Sequence, residues 1–231
     1  MLGDSMTQEA TEDGTWAAIE GSAQIQALLR KYGLTTDDVA DYHRYPIADN
    51  DSPRLSADRL EYTLGNLVNY GFIMPDKAPW MLDALGMLEN EEGQEELGFV
   101  NRDAAVAFAN GALDMGRIYV SEPDRFSMQM LAELLNSAKE DGTIQMDDLW
   151  RDEPYLIAKL CQDDLYKSAW ERYRRYSQIT HGDGGVVIHA KKRYIDPLVR
   201  GAGRVSAIDG EFRSRVEAFL QETQDEPLIG I

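Results

Sequence analysis

The stretch DSPRLSADRLEYTLGN, residues 51–66, decides how the rest of this sequence is interpreted. Ser56 is a residue type that caps helix N-termini, and Asp58 follows it in the first turn, where a negative charge is favourable. Leucines then recur at helical spacing. The stretch therefore predicts a long amphipathic helix from Ser56 to about Tyr70.

One face of this predicted helix is polar. At about 100° per residue, Tyr62, Asn66 and Arg59 lie within about 100° of Asp58, whereas the leucines lie on the opposite face. A solvated polar face is one interpretation. The other is a functional site, because the four side chains combine a carboxylate suited to a metal, a cation suited to a phosphate and a ring suited to stacking.

Helical periodicity also dominates the rest of the chain. The predicted helices lie in residues 22–33, 35–43, Lys77 to Asn90, 103–116, 121–142, 146–179 and 206–222. Short strands are predicted at Leu97–Val100 and, after a glycine-rich turn, at Val186–Ile188. Residues 223–231 are expected to be a loosely held tail. The sequence thus predicts one mostly helical domain over residues 1–231, with a small β element near its C-terminal end.

Composition limits the kind of protein and its partners. A net charge of −18 over 231 residues opposes general nucleic-acid binding, because phosphate backbones are repelled. No apolar run approaches the length needed to span a membrane, and the acidic N-terminus does not resemble a secretory signal. The single cysteine, Cys161, excludes an intrachain disulfide. These features favour a cytoplasmic protein.

The basic residues are concentrated in one window. Between Arg172 and Arg204 the chain has eight basic and two acidic residues, a local net charge of +6. One interpretation is a solvated basic face that balances acidic neighbours. The other is a pocket for a small anion, such as a nucleotide or another phosphate ester.

Three segments resemble a known family. SADRLEYTLGN, residues 56–66, resembles the last motif of the HD superfamily of metal-dependent phosphohydrolases, in which a helix carries an Asp as the final metal ligand. GRIYVSEPDRFSMQMLAELLNSA, residues 116–138, and IHAKKRYIDPLV, residues 188–199, are similar to segments of the branch that includes deoxynucleoside triphosphate triphosphohydrolases. The similarity covers about residues 1–205. It implies a mainly α, HD-domain/PDEase-like helical bundle, with the C-terminal helix and tail following it.

The resemblance implies a role for each matching residue. Asp58 would be the metal ligand, Arg59 a phosphate contact and Tyr62 a contact to the sugar or base. Asn66 departs from the acidic residue that the family carries at that position. Further substrate or phosphate contacts are expected from α-helical Arg125 and from a basic strand. On that strand Lys191 and Arg193 point one way and Lys192 and Tyr194 the other, so one of the two pairs is expected to face the pocket. For Arg125, a surface arginine paired with a carboxylate is the alternative.

The family's metal site also needs an upstream His and a His-Asp pair. No such pair occurs here, and the three histidines are His43, His181 and His189. We expect these to be loop or pocket-wall residues. The opening residues, MLGDSMTQEATEDGT, resemble the family segment that follows the His-Asp pair. The expectation is therefore an N-terminally truncated domain whose divalent metal (Mn, Fe, Ni or Mg in the complete site) is doubtful in this chain.

Three functional hypotheses follow. The first is a phosphohydrolase-like protein acting on a nucleotide or phosphate ester, inactive as an isolated chain because most metal ligands are missing. The second is a non-catalytic subunit that binds a nucleotide or phosphate, and the third is a structural remnant without a ligand. A homodimer, or a partner that supplies the missing N-terminal part, is expected in order to cover exposed apolar surface.

Overall fold

The computed structural model describes residues 14–231, apart from the side chain of His43. The opening segment that resembles the region after a His-Asp pair thus lies almost wholly outside the described residues. The α-helices are α1 (Thr15–Gly21), α2 (Ala23–Tyr32), α3 (Thr36–Ala40), α4 (Ala57–Asn69), α5 (Lys77–Asp83), α6 (Arg102–Tyr119), α7 (Glu122–Glu140), α8 (Glu153–Leu160), α9 (Asp164–Tyr173), α10 (Val205–Ile208) and α11 (Gly210–Gln221). The strands are β1 (Leu85–Glu89), β2 (Glu95–Phe99), β3 (Ile179–Val186), β4 (Leu198–Val199), β5 (Gly203–Arg204) and β6 (Leu228–Gly230). None of the helices in residues 14–231 combines the length and apolarity needed to cross a membrane.

The contacts divide the described residues into two compact units. Residues 14–118 and 192–222 form the first, which we call the α4 unit. Residues 119–191 and 223–231 form the second, the α7 unit. The expectation of a single domain over residues 1–231 stays a prediction.

The α4 unit is built around a small mixed sheet. Its strand order is β1-β2-β4-β5, in which β1 and β2 form an antiparallel hairpin and β2 runs parallel to β4. Helices α4, α6 and α11 supply buried faces to this unit. Its fully buried aromatic side chains are Phe99, Phe108, Phe212 and Phe219.

Helix α2 leaves much of its apolar stripe exposed. Ser22 caps it by accepting a hydrogen bond from Ile25 N–H, and Gly33 ends it at a φ of +70°, as the sequence predicts. Leu29 is buried, but Leu28 and Tyr32 are 54% and 68% exposed. The α4 unit therefore presents an apolar helix face to solvent.

The α7 unit combines helices with a two-stranded sheet. Pro123 lies in the first turn of α7 and Gly142 follows its end at a positive φ, which confirms the predicted limits. Phe126 and Leu134, on the apolar face of α7, are buried. Strand β3 pairs antiparallel with β6, so the C-terminal residues complete a sheet.

The expectation of a loose C-terminal tail is wrong. Leu228 is 1% exposed and belongs to a core cluster with Phe126 and Ile188. A Cβ atom built on Gly230 would lie 2.5 Å from a ring atom of Phe126 and 2.6 Å from one of Tyr176. The tail is held because β6 pairs with β3 and Leu228 packs against Phe126 and Ile188.

The predicted helical bundle is also wrong. About 56% of the described residues are helical and 12% are in strands, and the two sheets make this a mixed α/β fold. The predicted helix Lys77 to Asn90 ends at Asp83, and Leu85–Glu89 is a strand instead. Its pairing is with β2, and β2 in turn pairs with β4 about a hundred residues later, at Gly98 and Leu198. Periodicity alone does not separate a helix from a strand in so short an apolar segment, and its pairing decides the structure.

Candidate functional site

The polar face of the helix at Ser56 exists as the sequence predicts. Ser56 is buried and its hydroxyl accepts the N–H of Arg59 at 3.2 Å, which caps α4. Asp58 and Tyr62 are exposed and Asn66 is half-buried. The opposite face is buried, with Leu60, Thr63, Leu64 and Leu67 in the core. Burial of that face fixes the direction in which the polar residues point.

A second carboxylate lies near Asp58. Hydrogen bonds from Ala57 N–H to Ile47 C=O (2.8 Å) and from Asp58 N–H to Ala48 C=O (3.0 Å) hold the preceding loop against the start of α4. Asp49 is the next residue of that loop. Partial burial and, after it, the Asp49 carboxylate raise the pKa of Asp58 above its ordinary value. The pair is therefore electrostatically unfavourable when both groups are ionised.

Arg59 turns towards this loop. Its Nη1 donates to Asn50 Oδ1 at 2.7 Å and to Arg54 C=O at 3.3 Å, and its Nη2 donates to Asn50 C=O. The Nη2 atom also lies 3.3 Å from Asp49 Oδ1. Only 15% of the side chain is exposed. Arg59 thus holds the loop that carries Asp49 in place.

Asp58 is not part of a three-ligand cluster in the described part of the chain. Among residues 14–231, without the side chain of His43, three His, Cys, Asp or Glu ligand atoms within 4.8 Å of one another occur at Glu122, His181 and Glu226. These three belong to the α7 unit, whereas Asp58 belongs to the α4 unit.

In the Glu122–His181–Glu226 cluster, each imidazole nitrogen faces a carboxylate. His181 Nε2 lies 2.9 Å from Glu122 Oε1, and Nδ1 lies 3.2 Å from Glu226 Oε2. A protonated imidazole donates to both carboxylates, whereas a neutral one donates to only one of them. The residues come from the start of α7, from β3 and from the segment before β6. The cluster consequently joins three segments of the α7 unit at its surface.

The predicted basic strand does not form. Strand β3 ends at Val186, and residues 189–194 have no strand structure. Lys192 Nζ donates to the backbone C=O of Phe219 (2.6 Å) and of Glu222, and so caps the C-terminus of α11. This position suits a cation because helix C-termini carry partial negative charge.

The other residues of this segment do not line up on one strand face either. Tyr194 is half-buried, and burial followed by the nearby charge of Asp196 raises its pKa. Lys191 and Arg193 are exposed. Lys191 belongs to the α7 unit, whereas Lys192 to Tyr194 belong to the α4 unit.

At the end of the basic window, Arg204 balances acidic neighbours. Its Nη1 and Nη2 lie 2.9 and 3.0 Å from the two oxygens of Glu96, which is 2% exposed. Nη2 also contacts Glu91 at 2.7 Å. Burial disfavours the charge of Arg204, but its bonds to Glu96 and Glu91 outweigh this effect and raise its pKa. Arg204 thus balances acidic neighbours, as the first interpretation of the basic window expects, and does not line an anion pocket. Its pairing with Glu96 is buried, however, and not solvated as that interpretation supposes.

Arg125 is not a surface arginine. It is 6% exposed and its Nη1 donates to the backbone C=O of Ile188. No ion pair to a carboxylate is found for it among residues 14–231. The alternative that paired it with a surface carboxylate is therefore not what the described residues show.

Sequence reasoning missed two features of these sites. Asp49 lies in a loop, where no periodic pattern points to it. Its position seven residues before Ser56 nevertheless allows the loop to fold back onto the start of α4. Glu122 and Glu226 meet His181 only through the pairing of β3 with β6, which leaves no local pattern.

The chain is similar to the uncharacterized protein YdhJ of Bacillus subtilis (strain 168), with 24% identity over 182 residues. The alignment covers 77% of this chain and 55% of YdhJ, so the chain spans about half the length of that relative. No family model and no solved structure matches the chain.

Proposed function

We propose that this chain contributes to a metal-dependent phosphohydrolase of the HD superfamily, and that the exposed face of α4 is the surface that meets metal and substrate. The observation that carries the proposal is the placement of Asp58. It is exposed at the start of α4, lies near the Asp49 carboxylate and has a raised pKa. Arg59 Nη2 lies 3.3 Å from Asp49 and neutralises it in part, so a divalent metal would be held mainly by Asp58, whose ionised carboxylate is destabilised by partial burial and then by Asp49.

The substrate would be a nucleotide or another phosphate ester. Tyr62, one turn after Asp58 and 39% exposed, offers a ring on which a base or sugar can pack. Asn66 follows after a further turn and carries both a donor and an acceptor. The contacts of Arg59 with Asn50 and Asp49 favour a positioning role for this residue over direct phosphate binding.

The metal fits the described residues only in part. Catalytic transition-metal sites usually take three or more protein ligands, and Asp58 with Asp49 offers two. We therefore assign no hydrolytic step to this chain by itself. In the proposal, the remaining ligands come from a further segment of a longer protein or from a partner subunit.

A second candidate is a non-catalytic subunit that binds a nucleotide or phosphate. The incomplete ligand set around Asp58 favours it, because such a subunit needs no metal centre. Two of the cations expected to hold the phosphate are turned inward, since Arg59 binds a loop and Lys192 caps α11. This observation weakens the α4 unit as a phosphate site under either candidate.

Self-association is part of the proposal, as is a cytoplasmic location. Exposed apolar residues on one helix face, such as Leu28 and Tyr32 on α2, are typical of an interface. Sedimentation velocity at micromolar concentration is expected to show a dimer, and Leu28→Asp is expected to shift it towards monomer. A wild-type chain that stays monomeric would count against this part of the proposal.

The two functions are separated by one set of variants. Asp58→Asn removes the proposed ligand, and Asp103→Asn is the matched control, because Asp103 is an exposed Asp at the same position in the first turn of α6. Mixed nucleotides and aryl phosphate esters are incubated with the chain and Mn²⁺, Fe²⁺ or Ni²⁺. Metal-dependent hydrolysis lost only in Asp58→Asn supports an active phosphohydrolase and shows that the ligand set is completed.

The remaining outcomes of that experiment are equally informative. Nucleotide binding that is indifferent to metal and to Asp58→Asn supports the non-catalytic subunit. Absence of hydrolysis alone is expected of the incomplete ligand set, and nucleotide binding that needs metal and is lost in Asp58→Asn supports the first candidate. Absence of nucleotide binding, with or without metal, speaks against both candidates for this chain.

A further inference from the structure

The α7 unit buries a guanidinium without a compensating carboxylate among the described residues. Arg125, in the first turns of α7, is 6% exposed, and within residues 14–231 the hydrogen bond of its side chain runs from Nη1 to Ile188 C=O. Its Nε atom is buried and has no hydrogen-bond partner. A buried charge left unpaired is strongly destabilising, so this arrangement calls for a negative partner.

A second unsatisfied donor adjoins the same stretch of backbone. Gln224 Oε1 accepts the N–H of Ala190 at 2.6 Å, only two residues after Ile188. The Nε2 group of Gln224 is buried and has no partner. Arg125 and Gln224 therefore approach the same short segment from two other elements, and each keeps a buried N–H donor without an acceptor.

The adjacent Asp124 does not fill this role. Consecutive helix residues point about 100° apart, so Asp124 and Arg125 do not face each other. Burial raises the pKa of Asp124, as expected for a carboxyl group without a compensating cation. The neutralising group for Arg125 must have another source.

The geometry points to a ligand carboxylate bound by Arg125 and Gln224, a site that is independent of the role proposed for Asp58. Because Nη1 is used by Ile188, the edge of the guanidinium formed by Nε and Nη2 remains, and this edge matches the two oxygens of a carboxylate. The Gln224 amide adds a further donor. A water molecule can accept one of these hydrogen bonds but cannot neutralise the charge.

The surroundings favour one negative charge over two. Asp225 and Glu226 directly follow Gln224 in the chain, and the Asp225 carboxylate lies 3.9 Å from His189. These acidic groups disfavour a phosphate dianion more than a carboxylate monoanion. Phe126 follows Arg125 in the chain and Ile188 accepts its hydrogen bond, and both belong to a buried apolar cluster, where a low dielectric strengthens a charge-assisted hydrogen bond.

The direct test is the ¹H–¹⁵N resonance of the Arg125 Nε–H group, assigned by its loss in Arg125→Lys. Formate, chloride and phosphate are titrated in parallel at constant ionic strength. Formate is expected to shift this resonance saturably in the millimolar range, since so small a ligand cannot bind more tightly. A response that is linear, or that is equal for formate and chloride, overturns the proposal. Phosphate saturating at lower concentration than formate overturns the choice of a carboxylate.

A built-in carboxylate gives an independent check. Gln224→Glu keeps the acceptor for Ala190 N–H and replaces the orphan amide with an oxygen. This variant is expected to raise Tm and to reduce the formate response of the Arg125 resonance at least tenfold. Gln162→Glu, at an exposed position of the same unit, is the control and is expected to change neither. A lower Tm together with an undiminished formate response in Gln224→Glu contradicts the site.

Discussion

Replacing Glu96 with glutamine is expected to cost the α4 unit about 3 kcal/mol of its free energy of unfolding. Both Glu96 oxygens lie about 3 Å from Arg204, Asn90 Nδ2 lies 3.3 Å away and Arg54 Nε lies 3.7 Å away. Glutamine keeps the size but removes the charge, and its amide would place N–H groups against the guanidinium. Removing one member of a buried ion pair costs about 3–5 kcal/mol. We take the lower end because Arg204 keeps its contact with Glu91.

Urea unfolding followed by circular dichroism measures this loss. With a slope of about 2 kcal/mol/M, the midpoint is expected to fall by about 1.5 M at unchanged slope. The control is Glu92→Gln, because Glu92 also pairs with Arg54 but is 55% exposed, and surface pairs contribute at most about 1 kcal/mol. If Glu96→Gln cost no more than Glu92→Gln, the buried cluster would not stabilise the fold as we reason.

Three further variants test the electrostatics and the packing. Asp58→Asn is expected to raise Tm at neutral pH. The pKa of Asp58 is raised in the folded state, so its ionised form opposes folding above the unfolded pKa of about 3.9, and the gain in Tm disappears below that pH. Equal Tm values of the variant and the wild type at pH 7 would contradict this. Gly230→Ala is expected to lower the free energy of unfolding by about 1–3 kcal/mol in thermal melts, because the added Cβ would lie within 3 Å of two aromatic rings. Gly65→Ala is the control, since its Cβ would meet no heavy atom within 4 Å, and it should raise the free energy of unfolding by up to about 1 kcal/mol. The hydrogen bond from Lys159 is the main cause of the lowered pKa of Asp148, so ionised Asp148 stabilises the fold above about pH 3.9 and this stabilisation is lost as pH falls through the folded pKa. Asp148→Asn should therefore reduce the loss of stability at acid pH. An unchanged pH dependence would refute this.

Features with a local cause could be predicted from the sequence. The cap at Ser56 and the leucine face of α4 depend on residues within one or two turns, so the helix and its polar face follow directly from the pattern. The limits of α7, between Pro123 and Gly142, follow from backbone preferences of these two residue types.

Features that depend on pairing between segments could not be predicted. Leu85–Glu89 is a strand because β2 pairs with it, and the same holds for the C-terminal residues on β3. The direction of Arg59 was missed for a related reason, since it depends on where the returning loop places Asn50 and Asp49. Helical periodicity gives the face of a residue but not the partner that a long side chain selects.

The central claim is that Asp58 is a metal ligand on an exposed helix face, and Mn²⁺ titration observed by NMR tests it most directly. Paramagnetic broadening of nearby amide signals locates a weakly bound ion even where the ligand set is incomplete. We predict broadening centred on residues 57–62 and on Asp49, abolished in Asp58→Asn and retained in Asp103→Asn. Broadening confined to Glu122, His181 and Glu226, or unchanged at α4 in Asp58→Asn, would contradict the claim.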